Sequence, residues 1–382
     1  MKNIEELTAN LEALTKPKTD QPKLLALDGG GIRGIIAVEV LAKIEKTLQT
    51  KLGKDNTFVL ADYFDYIGGT STGAIIAACL SLGMRVDDIR TFYIESGKRM
   101  FDKASILKTL KYKYKDKALK KQLKSIFQDN ILGSDQLKTL LMMVMRNATT
   151  DSPWPICNNP YAKYNQRGLE EGGNLYFPLW QLIRASTAAP TFFPPEVIDI
   201  NNGEPFIFVD GGVTCFNNPA FQLFLMATSE PYKLNWQTGQ DKMLLISVGT
   251  GLTPNANKNL ESDEMNLLYN AKSIPSALMY AAQVQQDFLC RVFGKCLVGD
   301  DVDREVGNMI GIAAPGSSKL FTYARYNAEL SREGLDKLGL NNIKEKDVQA
   351  MDSVEHIDEL QKVGVAIADK KVQASHFEGF LE

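Results

Sequence analysis

The sequence carries only two histidines in 382 residues, His356 and His376, both near its end. A nucleophile that depends on an imidazole base must borrow one of them. Cysteine is equally sparse. Cys79, Cys157, Cys215, Cys290 and Cys296 are odd in number, widely spaced and form no C-x-x-C pair. That argues against a disulfide framework or a zinc site and fits reduced thiols in a cytosol. No apolar run approaches the roughly 20 residues that span a bilayer. The start, Met1 to Leu7, is polar and acidic, unlike a secretory leader. These absences predict a cytoplasmic protein whose membrane contact is peripheral. A net charge of −3 leaves no basic footprint for a nucleic acid polymer.

What is present is ample core. Hydrophobic residues make up 44% of the chain and charged ones 23%, a balance that fits a globular protein. Around one stretch, Ile67–Ala74 (IGGTSTGA), the composition changes sharply. Tyr63 to Ile67 before it is short and aromatic, as a strand would be. Ala74 to Leu80 after it is small and apolar, as a buried helix would be. Between them, Gly69-Thr70-Ser71-Thr72-Gly73 is a G-x-S-x-G pentapeptide. A serine can stand exposed at so sharp a strand-to-helix turn only if its neighbours have almost no side chain. Taken alone, the pentapeptide is a weak signal.

Strand and helix signals alternate along the chain. Lys23–Leu27 is an apolar run, followed by Asp28-Gly29-Gly30-Gly31-Ile32-Arg33-Gly34 and an amphipathic helix over 35–52. Further strands are expected over 137–147, 205–209 and 243–248, and an edge strand over 320–326. Residues 149–173, rich in Pro, Asn and Gly, read as a long surface segment with Trp154 exposed. Residues 103–124 hold nine lysines and one acid, which suits a solvated face or a surface drawn to anionic phospholipid. The alternation predicts an α/β fold, a layered αβα arrangement with a central, mainly parallel sheet. We expect a single domain over 1–382, with a motif-bearing core over about 20–255 and a helical C-terminal extension over about 256–382. Gly29, Gly31 and Gly34 also satisfy G-x-G-x-x-G, but the second strand candidate ends in Gly68-Gly69-Thr70-Ser71 where a dinucleotide site needs an acidic residue, and Asp28 and Arg33 do not suit a dinucleotide loop.

Three glycine-bearing loops, at 28–34, 68–73 and 210–212, each follow a strand, and ligands bind where the strand ends of a parallel sheet meet. Ser71 is the nucleophile candidate. Its base is either a borrowed histidine or Asp210, which leaves an apolar strand into Gly211-Gly212. Burial would make that aspartate a better base than a free one. The unobstructed N–H groups of Gly29, Gly30 and Gly31 suit an oxyanion or a phosphate equally. Arg33 could brace that loop or meet a phosphate.

The order of D-G-G-G-x-R-G at Asp28–Gly34, G-x-S-x-G at Gly69–Gly73 and D-G-G at Asp210–Gly212 resembles the patatin-like phospholipase family. Arg184 to Pro190 with Phe193-Pro194-Pro195 is also similar to the family's small-residue helix before the aspartate strand. The resemblance covers about the first 250 residues and is loose beyond. It implies a Ser71–Asp210 dyad and an oxyanion hole from Gly29, Gly30 and Gly31, with Arg33 supporting it. It implies hydrolysis of phospholipid acyl esters at a membrane surface, without metal or organic cofactor. Some bacterial members are effectors switched on by cyclic nucleotides in phage defence. Here Lys319, Arg325 and Arg332 are the candidate ligands for such an activator. The competing reading is a non-catalytic nucleotide- or lipid-binding module built on the glycine loop.

Overall fold

The structure is a computed structural model that describes residues 2–100, 116–199, 205–254, 267–314, 316 and 318–382. The described residues form one nine-stranded sheet. Its strands are β1 (Lys23–Leu27), β2 (Tyr66–Thr70), β3 (Leu140–Asn147), β4 (Ser152–Cys157), β5 (Glu196–Asp199), β6 (Pro205–Asp210), β7 (Leu244–Val248), β8 (Gly294–Val298) and β9 (Phe321–Tyr326). The run β3-β2-β1-β7-β9-β8 is parallel throughout. β4, β5 and β6 join antiparallel at the β3 side.

Both faces of the parallel run are covered, which is why its strands read as unbroken apolar stretches. Leu25, Leu27, Ile67, Met143 and Ile246 point into one core with the helices Gly34–Lys51 and Thr72–Ser81. Their neighbours Leu24, Ala26, Tyr66, Met142 and Leu245 point into a second core with the helix Ala220–Thr228. The layered α/β arrangement expected from the sequence is therefore the one found.

Expectations for the segment 149–173 and for the C-terminal third are corrected. The segment 149–173 contains β4, an edge strand paired only with β3 among the described residues. Pro153 and Pro155 disguise it, and an edge position tolerates prolines because their missing N–H groups are not needed there. Trp154 is half-buried, packed on Phe206 and Phe208. The C-terminal third is not a helical extension. It supplies two strands to the main sheet, and β9 lies inside that sheet, between β7 and β8. The helix Ile357–Lys371 also lies along Gly34–Lys51, with Gly364 against Ile36 and Glu39, where a Cβ would not fit. The lysine-rich expectation falls partly on residues 103–115, outside the described residues. Its described remainder, the helix Asp116–Phe127, turns Leu119, Leu123 and Phe127 inward.

Candidate active site

Ser71 sits between the end of β2 and the helix Thr72–Ser81 with φ 55° and ψ −121°. This is a strained conformation for a residue with a side chain, of the kind found at strand-to-helix elbows. The flanking glycines are required by contact. A Cβ on Gly69 would lie 2.1 Å from the Gly73 carbonyl oxygen, and one on Gly73 would lie 2.3 Å from the Leu27 carbonyl oxygen. The Ser71 N–H donates to Ser186 Oγ (2.9 Å), which in turn donates to the Val144 carbonyl (2.5 Å). The elbow is thus anchored to β3.

Asp210 reaches Ser71 through the register of β3. Met142 stands opposite both Gly68 and Cys157, and Met145 opposite both Trp154 and Asp210. So β2 and β6 share one edge of β3, end to end, while β4 lines the other. β2 stops with Thr70 opposite Val144, and β6 brings Asp210 opposite the next residue. Ser71 Oγ donates to Asp210 Oδ2 at 2.6 Å, and Asp210 Oδ1 accepts from the Gly212 N–H at 2.7 Å. Burial pushes the Asp210 carboxyl up to about 6, against the opposing effects of these two hydrogen bonds and of the Arg184 charge.

That burial makes a stability prediction. A carboxyl raised from 3.8 to about 6 binds its proton more tightly when folded, so stability falls as pH rises through that window. At neutral pH the ionised group costs about 3 kcal/mol. Asp210→Asn should therefore melt above the wild type at pH 7.5, with the gap closing by pH 4. Equal melting temperatures across the range would mean that the carboxylate is not desolvated.

The glycine loop after β1 faces the same point, though not with all three residues. Gly30 and Gly31 line the cavity beside Ser71. The Gly29 N–H is donated to the Asn217 carbonyl (3.1 Å), so the expected trio narrows to two. Gly29 is a glycine for space: a Cβ there would lie 2.4 Å from Asn217 Oδ1 and 3.2 Å from Ser71 Cβ. Arg33 is buried behind the loop and donates to the Gln349 carbonyl (3.1 Å); burial lowers its pKa to about 10, opposed by Asp28. It ties the loop to Gln349 and does not line the cavity.

The cavity holds about 590 Å³, and its walls are mainly apolar, with Ile75, Tyr93, Leu119, Phe192 and Met279 among them. Neither histidine lines it. His356 lies between Asp347 and Glu359, 3.6 Å from each, and His376 Nδ1 is 2.8 Å from the Tyr326 hydroxyl. A serine, a carboxylate of raised pKa and backbone N–H groups around an apolar cavity suit acyl transfer.

The sequence model described as "Patatin-like phospholipase" matches residues 25–224. The chain belongs to the patatin-like phospholipase family. Curated relatives include Patatin-T5 of Solanum tuberosum and Patatin-17 of Solanum cardiophyllum. Each is 31% identical over 261 residues, which cover 63% of this chain and 63% of the relative. The chain thus spans under two thirds of the length of these patatins. The crystal structure of VipD from Legionella pneumophila aligns over 90% of this chain and 67% of that one, with 13% identity and a TM-score of 0.33.

Several residues of this patatin-like site were invisible in the sequence. Met351 lines the cavity, accepts the Ile32 N–H at its carbonyl (2.9 Å), and lies where a Cβ on Gly31 would fall. Ser276 and Met279 enter the wall from the helix Leu267–Phe293. Lys319, Arg325 and Arg332 were expected to be available to an activator. Instead, each is engaged within the fold. Lys319 donates to the Arg291 and Val292 carbonyls, Arg332 to those of Leu340 and Ile343, and Arg325 pairs with Asp28.

Proposed function

We propose that this protein hydrolyses fatty-acyl esters of membrane phospholipids through a Ser71–Asp210 dyad and an acyl-enzyme. The observation that carries the reading is the 2.6 Å hydrogen bond from Ser71 Oγ to a buried carboxylate beside an apolar cavity. Membership of the patatin-like family supports the same chemistry.

In the first step Asp210 Oδ2 takes the Ser71 proton as Oγ attacks the ester carbonyl. The oxyanion that forms is received by the N–H groups of Gly30 and Gly31. Collapse breaks the ester bond, and the protonated Asp210 gives its proton to the departing lysophospholipid oxygen. Water then attacks the acyl-enzyme, its proton going to Asp210, and Ser71 is restored as the fatty acid leaves. The cavity walls hold the acyl chain, and a lipid surface at the mouth supplies the substrate. Of the rival reading, a non-catalytic nucleotide- or lipid-binding module, the nucleotide-binding form fits less well. Gly29 spends its N–H on Asn217, and the space beside Gly30 and Gly31 is walled mainly by apolar side chains.

The base must be ionised to act, so kcat/KM should rise with pH through about 6 and then level. A profile governed by a histidine would instead lose its inflection in a variant lacking both imidazoles. For the reaction itself, purified protein is mixed with vesicles of phosphatidylcholine, phosphatidylethanolamine and phosphatidylglycerol, and released fatty acid is measured by mass spectrometry. Release by wild type and none by Ser71→Ala is expected. Equal release by both would sink the proposal.

A further inference from the structure

We propose that Arg325, acting through Asp28, is a positioning residue for the glycine loop that receives the oxyanion. The inference rests on the hydrolase reading above. It concerns a residue in the C-terminal third of the chain, beyond the span matched by the family model.

Asp28 directly follows β1 and immediately precedes Gly29-Gly30-Gly31. It is fully buried. Arg325 Nη1 donates to Asp28 Oδ1 (2.8 Å), Arg325 Nη2 to Oδ2 (2.5 Å), and Gln283 Nε2 to Oδ2 (2.9 Å). Arg325 Nη1 also donates to Ser247 Oγ (2.7 Å). The register explains the reach. Ala26, Ser247 and Arg325 stand in one row across β1, β7 and β9. Asp28 lies two residues beyond Ala26, on the same face of the sheet. The guanidinium crosses over Ser247 to meet it as a two-pronged fork, a geometry that lysine cannot supply. Burial works against the Arg325 charge, and the Asp28 carboxylate more than offsets this, so its pKa lies above the ordinary arginine value.

Holding β9 in the sheet does not require such a pair, because backbone ladders to β7 and β8 already do that. A buried ion pair can often be replaced by apolar side chains without loss of stability, so its presence calls for a further reason. The loop beside it supplies one. Three successive glycines have no side chains to lock their conformation and lose the most freedom on ordering. Their geometry must be imposed from the ends. At the near end Asp28 is clamped by Arg325 and Gln283, and its N–H is donated to the Val248 carbonyl (3.1 Å). Thr250 Oγ1 then holds the Gly29 carbonyl at 2.7 Å, and Met351 holds the Ile32 N–H at the far end. The N–H groups of Gly30 and Gly31 lie between these fixed points.

The test compares Arg325→Lys with wild type in three measurements: kcat, KM for a phospholipid ester in mixed micelles, and the inhibition constant of a long-chain trifluoromethyl ketone. That ketone adds to the serine and places an oxyanion where the transition state does. Arg325→Lys keeps the charge and loses the fork. It should lower kcat about tenfold, weaken the ketone by the same factor, and leave KM unchanged. Gln283→Leu leaves both charges in place and removes one hydrogen bond to Asp28. It should show the same pattern at about a third of wild-type kcat, and it decides the matter if Arg325→Lys does not fold. Wild-type kcat and ketone affinity in the folded variants would make the pair purely structural and overturn the inference. A wild type that releases no fatty acid and ignores the ketone overturns the hydrolase reading itself, a different result.

Discussion

Ser71→Ala and Asp210→Asn should each lower phospholipid hydrolysis by at least about a thousandfold while the protein remains folded. The size of the loss follows from the division of labour. Without Oγ there is no atom to carry the acyl group. Without the carboxylate no other base stands in hydrogen-bonding contact with Oγ among the described residues, since neither histidine lines the cavity. Asparagine at 210 can still accept the Gly212 N–H, so the turn after β6 should survive. The two losses should also be strongly non-additive, because both residues serve one proton transfer. A double variant no worse than either single variant is the expected result of the cycle. If Asp210→Asn retains near-normal turnover, the dyad is wrong.

The second large effect should come from a methyl group. Gly73→Ala places a Cβ 2.3 Å from the Leu27 carbonyl oxygen and 2.7 Å from that of Asp28, both backbone atoms of β1 and its end. Neither can rotate away. The helix Thr72–Ser81 must shift from β1, carrying Ser71 with it and disturbing the loop that follows Asp28. Overpacking of this kind costs about 1–3 kcal/mol, and misplacing the nucleophile by about an ångström costs about a hundredfold in rate. Differential scanning calorimetry and an ester assay would register both. Gly53→Ala is the control for the assay conditions: its Cβ meets nothing within 4 Å, although its φ of 61° carries a backbone cost, so its rate should hold. A Gly73→Ala protein with wild-type melting and wild-type rate would show that the contact is not as tight as described.

What could be read in the sequence was what is local in it. Gly69 and Gly73 lie two residues either side of Ser71, so the strand-elbow-helix pattern is complete within a short window. The apolar strands of the parallel run were equally plain, because burial on both faces leaves nothing polar to interrupt them. Asp210 could be singled out by its strand and glycines, but only the family resemblance, and not those residues themselves, paired it with Ser71. The pairing follows from β2 and β6 meeting end to end along β3, a matter of register between distant segments. β4 was hidden by two prolines that an edge strand tolerates. β9 was expected at an edge; it is internal, paired on both sides, and its Arg325 is satisfied there by Asp28, 297 residues away. Met279 and Met351 gave no signal, since a methionine in a cavity wall and one in a core have the same surroundings in sequence. The Gly29 N–H could be told apart from those of its neighbours only once its partner, the Asn217 carbonyl, was in place.

Covalent labelling reports on whether Ser71 is a nucleophile activated by Asp210. A long-chain fluorophosphonate is added to wild type, Ser71→Ala and Asp210→Asn, and adducts are followed by intact mass and located by peptide mapping. One adduct per wild-type chain, on Ser71, none on Ser71→Ala, and labelling of Asp210→Asn slowed by about a hundredfold or more are expected. An adduct on another residue, or equal labelling rates in wild type and Asp210→Asn, would contradict that assignment.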